Sequence, residues 1–321
     1  MTLANTPSLH NETARAFLRD AIHGLTGARK SLPPKWLYDH AGSALFEEIT
    51  GLPEYYPTRT EISILRAHAA NLAGYISEGG ALVELGSGAS IKTRLLLDAG
   101  PHIAAYVPID ISAAFLHATA DDLHTRYPHL AVHPTVGDFA NPIALPAALH
   151  DLPKVGFFPG STIGNLDPLD AIALLVRARA WPGIETFILG ADLVKDPQVL
   201  IDAYDDKAGV TARFITNILT RMNAELGADF DVDRFDYIAE WNADAAQIQM
   251  SLMAQVDHHV SLGGQDIRFA NQESIAVSQS RKYTMDSLEN LADAAGWAVH
   301  EVVTDPETNF AVAVLKAQSP V

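Results

Sequence analysis

Three acidic residues stand in succession at the ends of short apolar runs: Glu84 after Ala81-Leu82-Val83, Asp110 after Val107-Pro108-Ile109, and Asp138 after Val136-Gly137. Glu84 leads into Leu85-Gly86-Ser87-Gly88-Ala89-Ser90. Glycines in such a turn let backbone approach a ligand closely, and a helix opening at Ser90 and carrying Lys92 offers free N–H groups. Asp110 lies about 20 residues beyond Gly88, the spacing at which a carboxylate accepts from ribose hydroxyls. Asp138 is placed to accept from an adenine amino group, with Phe139 against the ring. An NAD-dependent oxidoreductase would share the glycines and Asp110. The Asp138-Phe139 pair favours S-adenosylmethionine. Any one of the acids reads equally well as a helix cap; three at consecutive strand ends read as one ligand-binding edge.

A fourth apolar run ends in Phe157-Phe158-Pro159-Gly160-Ser161-Thr162-Ile163-Gly164-Asn165. In a methyltransferase this loop faces the sulfonium methyl, where Asn165 can hold a substrate amine or carboxylate. Ser161 lacks the strand–turn context and partner histidine of a hydrolase nucleophile. Leu52-Pro53-Glu54-Tyr55-Tyr56-Pro57 reads either as a loop packed down by its tyrosines or as a substrate wall with hydroxyl donors. None of the 13 histidines has metal-ligand spacing, and His258 and His259 point to opposite faces of an expected strand. No metal is expected.

Positioning these residues requires strands that alternate with helices. Strands are predicted over 82–84, 105–109, 131–135, 155–158 and 186–189, with helices over 90–98, 112–125 and 167–180. This alternation implies a parallel sheet covered on both faces. Upstream, Asn11 caps a helix over 12–25 whose apolar stripe is Ala14, Phe17, Leu18, Ile22 and Leu25. After the Pro33-Pro34 break, Ser43 is expected to cap a helix to 49. Thr58-Arg59-Thr60-Glu61 reads as a capping box for a helix to 76. Downstream come helices over 197–204 and 210–226, then a half-buried strand over 247–260. Gly263-Gly264 turns that strand into 266–270. A strand over 275–280, a helix over 285–295 and a strand pair over 297–303 and 310–315 complete the chain. The expected division is an α/β domain over 60–195 plus 284–321 and an α+β domain over 10–59 plus 196–283.

The chain has 321 residues, 48% of them hydrophobic, and a formal charge of −17. That supports a sizeable core and disfavours an extended nucleic-acid or anionic-membrane surface. With no cysteine, disulfides and thiolate chemistry are excluded. Met1–His10 lacks the basic-then-apolar pattern of a signal peptide, and no apolar run approaches the ~20 residues of a membrane span. A cytoplasmic monomer acting on a small molecule is expected.

Several long motifs carry a resemblance. Trp36-Leu37-Tyr38-Asp39-His40-Ala41-Gly42-Ser43-Ala44-Leu45-Phe46-Glu47 and Leu52-Pro53-Glu54-Tyr55-Tyr56-Pro57-Thr58-Arg59-Thr60-Glu61 resemble the histidine Nα-methyltransferases of ergothioneine biosynthesis. So do Glu84-Leu85-Gly86-Ser87-Gly88, Gly160-Ser161-Thr162-Ile163-Gly164-Asn165 and Ala203-Tyr204-Asp205-Asp206. The similarity covers nearly the whole chain after about residue 12. It implies a class I S-adenosylmethionine-dependent methyltransferase domain, Rossmann-like, with a second, α+β substrate-binding domain. The implied reaction is trimethylation of an amino-acid α-amine, most simply histidine to hercynine. Gly86, Lys92, Asp110, Asp138 and Phe139 match the cofactor site. Tyr55, Asn165 and Tyr204 match residues holding the substrate's amino and carboxylate groups. Tyr38 and Gly160, with Asn165, match positions where amine and methyl meet, and Met250 matches a side chain beside the substrate ring.

One motif departs from the family. Where relatives read Thr-Glu-x-Ser-x-Lys-Tyr/Phe, with glutamate and serine on the imidazole, this chain reads Val277-Ser278-Gln279-Ser280-Arg281-Lys282-Tyr283. Ser280 is kept, but Ser278 stands at the glutamate position. The departure implies weaker imidazole recognition and acceptance of other, notably aromatic, amino acids, unless Glu273 or Gln279 substitutes. The alternatives are an NAD-dependent oxidoreductase and a non-catalytic binder of cofactor or metabolite.

Overall fold

A computed structural model describes residues 12–88 and 90–318. The expected Asn11 cap lies outside the described residues. The described residues open with α1 (Glu12–Leu25), α2 (His40–Thr50) and α3 (Tyr56–Ala73). They continue through β1 (Ala81–Leu85), α4 (Ile91–Ala99), β2 (Ala105–Asp110), α5 (Ala113–Arg126), β3 (Ala131–Val132), β4 (Thr135–Val136), β5 (Lys154–Phe158), α6 (Pro168–Arg179) and β6 (Ile184–Asp192). Then come α7 (Pro197–Asp202), α8 (Val210–Leu226), β7 (Phe235–Asn242), β8 (Gln247–Ala254), β9 (His258–Leu262), β10 (Gln265–Phe269) and β11 (Ser274–Arg281). The last elements are α9 (Met285–Ala294), β12 (Trp297–Thr304) and β13 (Phe310–Ala317).

Two compact units share these elements. One holds residues 57–195 and 280–318, the other residues 12–56 and 196–279. In the first, the strands run β12-β13-β6-β5-β1-β2-β3, with β4 also pairing with β2. β6, β5, β1 and β2 are parallel, whereas β13 is antiparallel to both of its neighbours. Every residue of β1 and β5 is buried, as expected for strands covered on both faces. On one face Leu174 and Leu175 of α6 pack with Leu288 and Leu291 of α9. On the other, Ile64 and Leu65 of α3 pack with Leu96 of α4 and Leu123 of α5. This is the class I methyltransferase arrangement. The winding reverses between β1 and β5, and such reversals open a ligand crevice at the carboxyl ends of the strands.

The other unit is built around α8, which buries Phe214, Ile215, Ile218, Leu219 and Met222. It packs in one core with Phe17 and Leu25 of α1 and Ile248, Met250 and Leu252 of β8. β11, β8 and β7 form a three-stranded sheet, and β9 and β10 form a hairpin. Its turn places Gly263 at φ +57° and Gly264 at φ +80°, which glycine adopts without strain. The N-terminal segment joins this unit through backbone: Leu32 N–H donates to Ala276, and Ala276 N–H to Lys30.

Four local expectations are corrected. The cap of α2 is Asp39, whose Oδ1 accepts from Gly42 N–H at 2.7 Å; Ser43 N–H already bonds to the Asp39 carbonyl and lies inside the helix. α3 begins before Thr58, so the capping box does not form. The strand expected over 131–135 is two short segments, β3 and β4, and that over 247–260 is β8 and β9. β7, which periodicity did not predict, pairs along its whole length with β8. Among the described residues no helix is long and apolar enough to cross a membrane.

Candidate functional site

Glu84 is turned into the interior. It is 1% exposed and accepts from Thr93 Oγ1 of α4 at 2.5 Å and from the Tyr106 hydroxyl of β2. Burial pushes its carboxyl up to about 8, against the lowering effect of those two hydrogen bonds. Tyr106 also pairs with Ser90 Oγ at 2.8 Å. The first acid of the series is therefore an anchor under the β1 turn, tying α4 and β2 beneath it.

The turn above it has the features of a ligand cradle. Gly86 and Gly88 take φ +65° and +47°, and Ser90 is held at φ +51°, a conformation disfavoured for residues with a Cβ. A Cβ on Gly88 would meet nothing within 4 Å, whereas one on Gly86 would lie 3.6 Å from the Phe139 ring. Asp110 fixes both sides of the crevice: Oδ2 accepts from Gly88 N–H at 3.0 Å and Oδ1 from Ser112 N–H at 2.9 Å. Asp138 accepts from Ala140 N–H at 2.9 Å, which holds the β4 loop so that Phe139 stands edge-on to Phe158 at 5.3 Å. Gly86, Asp110, Asp138 and Phe139 are thus gathered at one edge of the sheet. The backbone approach, the carboxylates and the half-buried ring suit an adenosine.

The loop after β5 is held from below. Gly160 takes φ +82° and Ser161 φ +53°. Glu61 of α3, fully buried, accepts from Gly160 N–H with both oxygens, at 2.8 and 2.9 Å, and pairs with Lys92 Nζ at 2.5 Å. Sequence reading assigned Glu61 to a helix cap and missed this role; its place inside a family motif was the only available signal. Ser161 Oγ accepts from Asp192 N–H at 2.9 Å, consistent with a structural rather than nucleophilic serine. Asn165 ends the short 3-10 helix Thr162–Asn165 and is half-buried. Gly164 lies so close to Arg281 that a Cβ would fall 2.5 Å from its carbonyl oxygen. Beside this strand end Lys282 Nζ donates to Ser280 Oγ at 2.8 Å and to Asp192 at 2.7 Å, both partners of the ion pair having no exposure.

In the other unit an aromatic cluster gathers three more of the predicted residues. The Tyr38 ring meets Phe46 at 5.7 Å and Phe214 at 5.4 Å; Tyr55 stands edge-on to Tyr204 at 5.8 Å. The Tyr204 carbonyl accepts from the Tyr237 hydroxyl at 2.6 Å. Asp206, two residues on, accepts from Val210 and Thr211 N–H at 2.8 Å each, so this motif acid serves the start of α8. Burial opposes its ionisation, but the bonds from Thr211 and Val210 prevail and keep its carboxyl below the usual range. Met250 is buried in β8 and Ser278 is half-buried in β11. Neither proposed stand-in for the missing glutamate is uncommitted. Glu273 pairs with Lys30 at 3.0 Å and accepts from Ala270 N–H at 2.9 Å; Gln279 accepts from Gln247 Nε2 at 3.0 Å.

A family model for histidine-specific, S-adenosylmethionine-dependent methyltransferases matches residues 17–317. The histidine N-alpha-methyltransferase of Mycolicibacterium smegmatis is 41% identical over 317 residues, spanning 95% of this chain and 96% of its own. That of Mycobacterium tuberculosis is 43% identical over 296 residues, 88% of each chain. The 4-dimethylallyltryptophan N-methyltransferase of Claviceps purpurea is 28% identical over 336 residues, 95% of this chain and 96% of its own.

Proposed function

Because the chain belongs to the S-adenosylmethionine-dependent, histidine-specific methyltransferase family, we propose that it methylates the α-amine of a free amino acid, L-histidine first, to the trimethylammonium betaine. The observation that carries this reading is the convergence of Gly86, Asp110 and Phe139 at the carboxyl ends of β1, β2 and the β4 loop. Bound S-adenosylmethionine supplies an electrophilic methyl on a sulfonium. Each transfer breaks one S–C bond and forms one N–C bond, and the amine must be neutral before it. Asp110 would accept from the ribose, Asp138 from the adenine amine, and Lys92 would take the cofactor's carboxylate. Asn165, the Tyr38 hydroxyl and the Gly160 carbonyl orient the amine lone pair, while Tyr55 and Tyr204 hold the amino-acid end and Met250 flanks its side chain. Positioning and exclusion of water supply most of the acceleration, since effective molarities of well-oriented groups are worth roughly 7–11 kcal/mol. The proton leaves to water.

A second reading, an aromatic amino acid in place of histidine, is favoured by Ser278. The engagement of Glu273 and Gln279 elsewhere supports it. Mass spectrometry of histidine, tryptophan, phenylalanine and tyrosine incubated with S-adenosylmethionine separates the two. Histidine trimethylation at micromolar substrate supports the first reading. Preference for an aromatic substrate, with histidine turnover restored in Ser278→Glu, supports the second. No product from any of the four overturns both.

A further inference from the structure

Glu61 touches both ends of the chemistry assigned above, yet the mechanism gives it no part. Its carboxylate has no solvent exposure, lies 2.5 Å from Lys92 Nζ and receives Gly160 N–H on both oxygens. The chain is shaped to admit it. A Cβ on Gly190 of β6 would lie 2.2 Å from Glu61 Oε1, so only glycine leaves the carboxylate its place. A Cβ on Gly160 would approach Lys92 Nζ to 3.3 Å, so lysine, glutamate and loop backbone meet within one contact shell. A buried carboxylate needs hydrogen bonds on its remaining lone pairs as well as a cation, and any backbone donor would meet that need. The donor here is the peptide N–H of the loop residue at the proposed methyl-transfer position.

We propose that Glu61 is a positioning residue that sets the Lys92 ammonium for the cofactor's carboxylate and the Gly160 backbone for the amine, through one side chain. The proposal rests on the cofactor role of Lys92 and the loop role of Gly160 given above. The ammonium has three N–H groups, and binding one to Glu61 leaves the others aimed rather than free to rotate with the stem. Glu61 acts on the reaction only through these two neighbours.

The two functions come apart in two variants. Glu61→Gln keeps an amide oxygen for Gly160 N–H but removes the negative charge that faces Lys92. It is expected to raise the S-adenosylhomocysteine Kd and the S-adenosylmethionine KM by about tenfold while kcat stays within about threefold. Glu61→Ala removes both contacts and is expected to lower kcat as well, by about 30-fold or more. In a Lys92→Met background, Glu61→Gln is expected to change the Kd less than about twofold, because the contact it acts through is gone. The Lys92→Met reference leaves Glu61 buried without its cation, so circular dichroism confirms its fold before the comparison, and Glu61→Gln alone keeps the proposal testable if Glu61→Ala does not fold. Wild-type Kd and KM in Glu61→Gln overturn the proposal, as does a full tenfold effect in the Lys92→Met background. If Lys92→Met itself binds S-adenosylhomocysteine like wild type, the cofactor role of Lys92 fails, and the proposal fails with it.

Discussion

Replacing Asp110 tests the proposed cofactor site apart from the rest of the reaction. A carboxylate offers about four acceptor positions. In this structure two are taken, one by Gly88 N–H at 3.0 Å and one by Ser112 N–H at 2.9 Å, leaving the others for two ribose hydroxyls. Hydrogen bonds to a charged group contribute about 1.5–3 kcal/mol, so Asp110→Ala should weaken S-adenosylhomocysteine by about 10- to 150-fold. Asp110→Asn should fall between. Its single carbonyl oxygen can still accept, but its amide nitrogen must face one of two backbone N–H donors. Isothermal titration calorimetry with S-adenosylhomocysteine gives the Kd, and a thermal melt followed by circular dichroism confirms that each variant is folded. A folded Asp110→Ala with the wild-type Kd would refute the reasoning and leave Asp110 as an anchor for the Gly88 turn alone.

Two further predictions concern buried charge. Glu84 holds its proton up to about 8 in the folded protein but ionises near 4.5 when unfolded, so the folded state binds more protons between those values. Stability should therefore fall as pH rises from about 4.5 to 8, and Glu84→Gln should flatten urea midpoints across that window; an unchanged slope would refute this. Lys282→Met leaves Asp192 buried with Lys195, at 2.6 Å, as its remaining cation. Breaking a buried pair costs about 3–5 kcal/mol, and with Lys195 retained the loss in chemical denaturation should lie near 3; a loss below about 1 kcal/mol would show that Lys195 suffices alone.

Local patterns determined much of this protein. The apolar stripe of α1, the extent of α8 and the Gly263-Gly264 hairpin follow from periodicity and turn chemistry that neighbouring residues set among themselves. The alternation from β1 to β6 yielded the parallel sheet, and the motifs around Gly86, Asp110 and Phe139 named the residues of the proposed cofactor edge. Tertiary structure decided where local rules offered several partners. Asp39 caps α2 because it already stands one turn ahead of Ser43. β7 has weak alternation of its own and exists as a strand through its ladder with β8. Glu84 and Glu61 show the limit most clearly. A carboxylate at a strand end or three residues into a helix start has an obvious local role. Both were instead carried into the interior, where a buried acid must find donors or keep its proton. The donors Glu61 found are Lys92 and the Gly160 N–H, the latter 99 residues along the chain. Only the packing of α3 against the sheet brings them together, so no spacing in the sequence could have named them.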